Sequence, residues 1–359
     1  MPIDSMIACA IAQRSFRKFA ADRYRTEMEK TGVRKIHGFL SVMMALSASS
    51  LSPASAAAKN YPERPIQLIV PFAAGGSSDR VARLIAQPLG EMLGQPIVVN
   101  NRPGAGSQIG VEFVARAEPD GYTLLFGTAD GLAIVPATKK VPPYDPVADF
   151  APIAMIAQAP LIIAANTKFP PNSLSELVEY ARQNPEKINY GSAGAGSILH
   201  LGLALLENDT GTSMVHVPYR GGGPMMTDLI AGNVDIVMTT ADFVKTYEDS
   251  GQLKSLAQAS STRHPLIPNT PTTAEAGFSD VMVVSWFGLL GPKGMPADAV
   301  EKVSVAISEI MSRKDIQDAM VQTGAVAEIR TANDFADHIA KESARWDGIV
   351  TDAGIEKLD

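Results

Sequence analysis

From residue 61 onward, short aliphatic and β-branched runs alternate with stretches whose apolar positions recur at helical spacing. Ile66-Gln67-Leu68-Ile69-Val70 is a run of the first kind, and Val81, Leu84, Ile85, Leu89 and Met92 form a set of the second. The same alternation predicts further strands at 97–100, 122–127, 153–157, 161–165, 188–191, 215–219, 234–239 and 253–259. Helices are predicted between them at about 108–117, 173–183, 197–208, 223–232 and 242–250. From Pro296 the pattern turns largely helical, at 296–313, 315–323 and 333–350, with one short strand from Ala325 to Ile329. Strands that alternate with helices predict an α/β fold with mainly parallel sheets flanked by helices.

Two places interrupt the alternation. Near Ile156 to Leu161 two apolar runs abut, punctuated only by Gln158 and Pro160, and near Met282 to Leu290 an extended run contains Ser285, Trp286 and Phe287. Each reads as a crossing between lobes. Two such crossings assign 59–159 together with 283–359 to one lobe, and 160–282 to the other. No low-complexity linker separates them.

Residues 1–58 stand apart from this pattern. The apolar stretch from Phe39 to Leu51 follows Arg34, Lys35 and His37 and precedes Ala54-Ser55-Ala56-Ala57-Ala58. That order of positive, apolar and small residues predicts a secretory signal peptide, and 13 apolar residues are too few to span a bilayer. The segment before Met28 is long for such a signal, so Met28 is the expected start and the preceding residues an extension from a misassigned start. Cleavage is expected after Ala56 or Ala58, and the single cysteine, Cys9, falls in the removed segment. The mature chain of about 300 residues then has no disulfide, thiol nucleophile or thiolate metal site.

Charge narrows the partners. Of 31 basic and 38 acidic residues, 8 and 4 lie in residues 1–58, which leaves 23 against 34 and a net charge near −11. Such a surface argues against nucleic acid and anionic membrane as partners. An anionic ligand would need a local positive seat, and backbone amides supply one without Lys or Arg.

Two stretches have the form of such a seat. Pro71-Phe72-Ala73-Ala74-Gly75-Gly76-Ser77-Ser78-Asp79-Arg80 joins the first strand to the first helix, with glycines that permit a sharp turn and serines and an aspartate suited to an N-cap. Ile188-Asn189-Tyr190-Gly191-Ser192-Ala193-Gly194-Ala195-Gly196-Ser197 repeats the design over a hundred residues later. Unpaired N–H groups at a helix start, with the positive end of its dipole, hold a carboxylate or phosphate. Two seats predict two lobes that each offer a helix N-terminus to one ligand. Tyr219-Arg220-Gly221-Gly222-Gly223-Pro224 is a third turn of the kind, in which Arg220 could pair with a carboxylate or the glycines could serve close packing. Thr128-Ala129-Asp130 ends a strand at the carboxyl edge where open α/β sheets bind ligands, and Asp242 is as well explained by helix capping as by ligand contact.

Other chemistries fit less well. Gly104-Ala105-Gly106-Ser107-Gln108-Ile109-Gly110 departs from the dinucleotide fingerprint in spacing and lacks the acidic residue at the end of a following strand. A secreted hydrolase using Ser197 and His200 is the alternative from another class, but no G-x-S-x-G elbow is present. His200, His216, His264 and His338 show no metal-ligand spacing, and no cofactor is expected.

Tyr61-Pro62-Glu63-Arg64-Pro65-Ile66, the Pro71–Asp79 turn, and Asn101-Arg102-Pro103-Gly104-Ala105-Gly106 resemble the Bug-type receptors of tripartite tricarboxylate transporters. Pro119-Asp120-Gly121-Tyr122-Thr123-Leu124-Leu125, Tyr144-Asp145-Pro146, His216-Val217-Pro218-Tyr219-Arg220-Gly221 and Trp286-Phe287-Gly288-Leu289 extend the resemblance over nearly the whole mature chain. It implies a type II periplasmic-binding-protein fold that closes over a small organic carboxylate without chemistry. It also implies a periplasmic monomer that delivers its ligand to membrane permease subunits. Position by position, it places the carboxylate on Phe72, Gly75, Gly76, Ser77, Ser78 and Asp79, and on Ser192, Ala193, Gly194, Ser197 and His200. Thr128, Asp130 and Asp242 lie in stretches that vary among members and would shape the distal pocket. Ala74 and Ser107 replace a usual proline and a common glycine, and Thr239 to Asp249 has no proline where members often have one.

Overall fold

The computed structural model describes residues 61–358. The expected signal peptide, start site and cleavage site lie outside the described residues. The chain order is β1 (Ile66–Val70), α1 (Ser77–Leu93), β2 (Ile97–Asn101), α2 (Gln108–Ala115) and β3 (Thr123–Thr128). A short π-helical segment, Asp130–Ile134, and α3 (Val135–Thr138) lead to β4 (Phe150–Asn166). Then come α4 (Leu174–Gln183), β5 (Asn189–Ser192), α5 (Ile198–Thr210), β6 (Val215–Pro218), α6 (Gly222–Ala231), β7 (Ile236–Thr240), α7 (Ala241–Asp249) and β8 (Leu253–Gln258). The chain continues with β9 (Val284–Pro292), α8 (Ala297–Ser312), α9 (Lys314–Val321), β10 (Val326–Arg330) and α10 (Ala332–Asp352).

The strands form two sheets that share β4. In the first, β2, β1 and β3 run parallel, β9 is inserted antiparallel between β3 and β4, and β10 flanks β4. In the second, β6, β5 and β7 run parallel, and β7 and β8 pair antiparallel with β4. The parallel sets are thus completed by antiparallel strands, β4 in both sheets and β9 in the first. Burial explains the parallel core, since Ile66, Leu68, Ile69 and Val70 are all fully buried, as a strand covered on both faces requires.

The two expected strands at 153–157 and 161–165 are one strand. Residues 150–160 of β4 pair with β9, and residues 161–165 pair with β7. Pro160 has no N–H to donate, and it sits where the ladder changes partner. The apparent break is therefore the switch between sheets. Helix α10 buries Phe335, Ile339, Trp346 and Val350 on one stripe, packing on β4, on the Asp130–Ile134 segment, and on α3 and α5. Gly288 is required here, because a Cβ would lie 2.3 Å from the Phe335 ring.

Candidate functional site

The first turn is built by Asp79, which is only 3% exposed. Its carboxylate accepts from Arg83 Nε at 3.0 Å to each oxygen, from Asn101 Nδ2 at 2.9 Å and from the Gly75 N–H at 2.9 Å. Burial alone would raise its pKa, but these donors outweigh burial and hold the carboxyl below its usual value. Asn101 also donates to the Phe72 carbonyl at 3.0 Å, fixing the half-buried start of the turn. Gly75 takes a φ of +86°, which only glycine adopts cheaply, while Gly76 is an ordinary extended N-cap residue with φ −73°. So the sharp turn depends on Gly75 and not on Gly76.

Among the described residues, nothing accepts from the backbone N–H groups of Gly76, Ser77 and Ser78. They stand at the start of the 17-residue α1 with no side-chain cap, at its positive end. The Ser77 hydroxyl donates away from them, to the Thr323 carbonyl at 3.3 Å. Arg80, one helical turn on, forms an ion pair with Asp242 of α7. Asp242 also accepts from Thr240, which is the true N-cap residue of α7. Asp242 therefore ties the second sheet to the first instead of capping its own helix.

The second turn is more closed. Ser192 is fully buried and its hydroxyl bonds the Gly194 backbone and His216 Nε2, the latter at 2.6 Å. Ala193 and Gly194 complete the bend, with Gly194 at φ +138°. Ser197 caps α5 by accepting from the His200 N–H at 3.4 Å, and donates to the Gly194 carbonyl at 2.8 Å. His200 Nδ1 accepts from the Gly196 N–H at 3.1 Å, which fixes the neutral ring with its proton on Nε2. The rings of His200 and His216 stack with centroids 3.9 Å apart, and Tyr190 stacks on His216 at 5.1 Å. Burial and the adjacent His216 push His200 down to about 4. Ser197 and His200 thus meet only through a backbone cap, and the hydroxyl and ring that a nucleophile–base pair would need are bonded elsewhere.

Thr128 is buried at the end of β3, where its hydroxyl accepts from the Gly131 N–H at 3.4 Å. Asp130 follows it and accepts from the Ile198 N–H of α5 at 3.3 Å. Its carboxyl keeps some accessible surface but is ringed by protein, and this desolvation pushes it up to about 6. Arg220 is exposed and makes no ion pair with a described residue. At Gly104 and Gly110 an added Cβ would lie 2.5 Å from Ile109 and 2.8 Å from the Arg102 carbonyl, so these glycines serve packing. A surface hollow of about 470 Å³ lies between Ala86 and Ile97, away from both turns. Sequence reasoning missed Arg83, Asn101 and Arg80. The i,i+4 spacing of Asp79 and Arg83 was the one local signal available.

The model of the tripartite tricarboxylate transporter family receptor matches residues 81–355. The chain belongs to this family. Solved relatives agree with the membership and share the receptor's fold. The periplasmic binding protein BugD is 36% identical with a TM-score of 0.75, over 83% of this receptor and all of BugD. An R. palustris protein solved with adipate is 33% identical with a TM-score of 0.77, over 83% of the receptor and all of that chain. MatC from Rhodopseudomonas palustris, with bound malate, is 33% identical with a TM-score of 0.73, over 81% and 100% of the two chains. The family is one of periplasmic receptors and not of enzymes, in accord with the unpaired roles of Ser197 and His200. No helix among the described residues is long and apolar enough to cross a membrane.

Proposed function

We propose that this receptor captures a small organic carboxylate in the periplasm, between a lobe of residues 59–159 with 283–359 and a lobe of residues 160–282. It acts as a monomer after loss of residues 1–58 and delivers its ligand to membrane permease subunits of a tripartite tricarboxylate-type transporter. The observation that carries the reading is the set of unaccepted N–H groups at Gly76, Ser77 and Ser78. A carboxylate placed there takes charge-assisted hydrogen bonds and the favourable end of a helix dipole. Asp79 holds the turn in shape, and Phe72 and Gly75 shape its wall. On the far side, Ser192, Ala193, Gly194, Ser197 and His200 give a preformed loop that meets the bound acid on closure, with Thr128, Asp130 and Asp242 around it. The relatives with adipate and malate support a carboxylate as the ligand class.

A thermal-shift screen over mono-, di- and tricarboxylates, aromatic acids and acidic amino acids tests this. A ligand at 100 times its dissociation constant adds about 2.7 kcal/mol of stability, so one class of acid should raise the melting temperature by several degrees. No shift with any acid at millimolar concentration would overturn the reading.

A further inference from the structure

The two turns differ in what they leave open. At the first, the N–H groups of Gly76, Ser77 and Ser78 have no acceptor among the described residues. At the second, the N–H groups of Gly194, Gly196, Ser197 and Ile198 are engaged by Ser192 Oγ, His200 Nδ1, the Gly194 carbonyl and the Asp130 carboxylate. The last of these bonds joins the sheets, because Asp130 follows β3 and Ile198 opens α5. A carboxylate of the chain itself therefore stands where a ligand carboxylate would meet this helix.

The open turn and the segment that carries this carboxylate follow neighbouring strands. Strands β1 and β3 are parallel neighbours about 5 Å apart, with Ile69 level with Leu125, so the turn after Val70 and the segment opened by Asp130 both follow the carboxyl ends of adjacent strands of one sheet. Among the described residues, no cation is paired with Asp130. Its burial is offset only by backbone N–H groups, and its carboxyl is raised to about 6 as a result. A ligand that brought a donor to this point would supply the missing partner, whereas a second ligand carboxylate would meet a like charge on an amide already in use.

We propose that Asp130 sets the ligand class: the receptor favours acids with one carboxylate and a hydrogen-bond donor, ammonium or hydroxyl, at the other end, and disfavours a second carboxylate. The inference rests on the reading that the first turn holds a carboxylate.

Calorimetry on the purified receptor tests it with probes matched in length: 4-aminobutyrate and 4-hydroxybutyrate against succinate, and 6-aminohexanoate against adipate. The expected result is at least ten-fold tighter binding of an amino or hydroxy acid than of the diacid of equal length. Asp130→Asn and Asp130→Ala, each first shown to be folded by circular dichroism, should shrink or reverse that ratio. Equal or tighter binding of the diacids by the wild-type chain, or a ratio unchanged in a folded variant, would overturn the proposal. If neither variant folds, the wild-type ratio decides alone. Binding of acids without the expected ratio removes only this inference, whereas binding of no acid of any class removes the carboxylate reading with it.

Discussion

Arg80, on the helix that follows β1, is ion-paired to Asp242, on the helix that follows β7, so a side chain anchored in each sheet holds the other across 162 residues of sequence. Arg80 is 38% exposed at its side chain and Asp242 12%, which makes the pair partly screened. A pair of this kind contributes about 1 kcal/mol, or roughly a five-fold change in an equilibrium.

If the pair forms as the lobes close, removing either partner shifts the balance toward the open form. Asp242→Asn and Arg80→Gln should each weaken binding of the best acid from the thermal screen by about five-fold, and the double variant by little more. Solution scattering should show a smaller radius of gyration with ligand in the wild-type chain and a reduced change in the variants. Equal affinities in all four proteins would mean that the contact does not respond to the ligand.

Gly76 and Ser77 separate backbone from side-chain recognition. A Cβ at Gly76 meets nothing nearer than the Ala73 carbonyl at 3.7 Å, and its φ suits any residue. Gly76→Val should therefore fold with little loss of stability yet block approach to the free N–H groups, cutting affinity by more than about ten-fold, or 1.4 kcal/mol. Ser77→Ala should lose less, since its hydroxyl is directed to Thr323. Calorimetry that found the reverse order would show the seat to be made of side chains.

Asp79 offers a test of stability in place of binding. Asp79→Asn leaves Arg83 without its buried partner and the Gly75 N–H with a weaker acceptor. The expected cost is roughly 2 kcal/mol, seen as a lower midpoint in urea at unchanged slope. Unaltered stability would mean that the turn is held by other contacts.

Protonation gives opposite contributions at Asp130 and at the buried histidines. His200 and His338 are each pushed to about 4, chiefly by burial, below their ordinary 6.5. Their contribution to stability is present above 6.5 and is lost as the pH falls toward and through 4. Asp130 is raised from 3.8 to about 6, so its contribution is full below 3.8 and is lost as the pH rises through 6. Melting temperature followed from pH 7 to 4 should fall more steeply on acidification in Asp130→Asn than in the wild-type chain, and less steeply in His200→Gln. Parallel curves for all three would contradict this assignment.

The first strand, its turn and α1 were legible because an apolar run, a glycine pair and a stripe from Val81 to Leu89 follow one another locally. The shared strand was not, because Pro160 reads as a stop until its place in the ladder is known. Residues 130–138 gave no helical period, since Leu132, Ala133, Ile134 and Val135 are all buried in a row, so no polar face marks the helix. Both loops of the candidate site were visible as turns. What fills them was not, because Asp130 reaches Ile198 across 68 residues and Asn101 reaches Asp79 across 22. Contacts of that range leave no mark in local spacing.

The sharing of β4 also orders the assembly of the molecule. Every strand of the second sheet is drawn from residues 161–258. The first sheet waits for β9 and β10, at 284–292 and 326–330, and β9 is the strand that joins β3 to β4. A chain that emerges N-terminus first into the compartment where it folds therefore holds a complete second sheet while the first still has a gap at its centre. The distant pairings of that first sheet are also the slower to close. The half of the receptor that is made first is finished last.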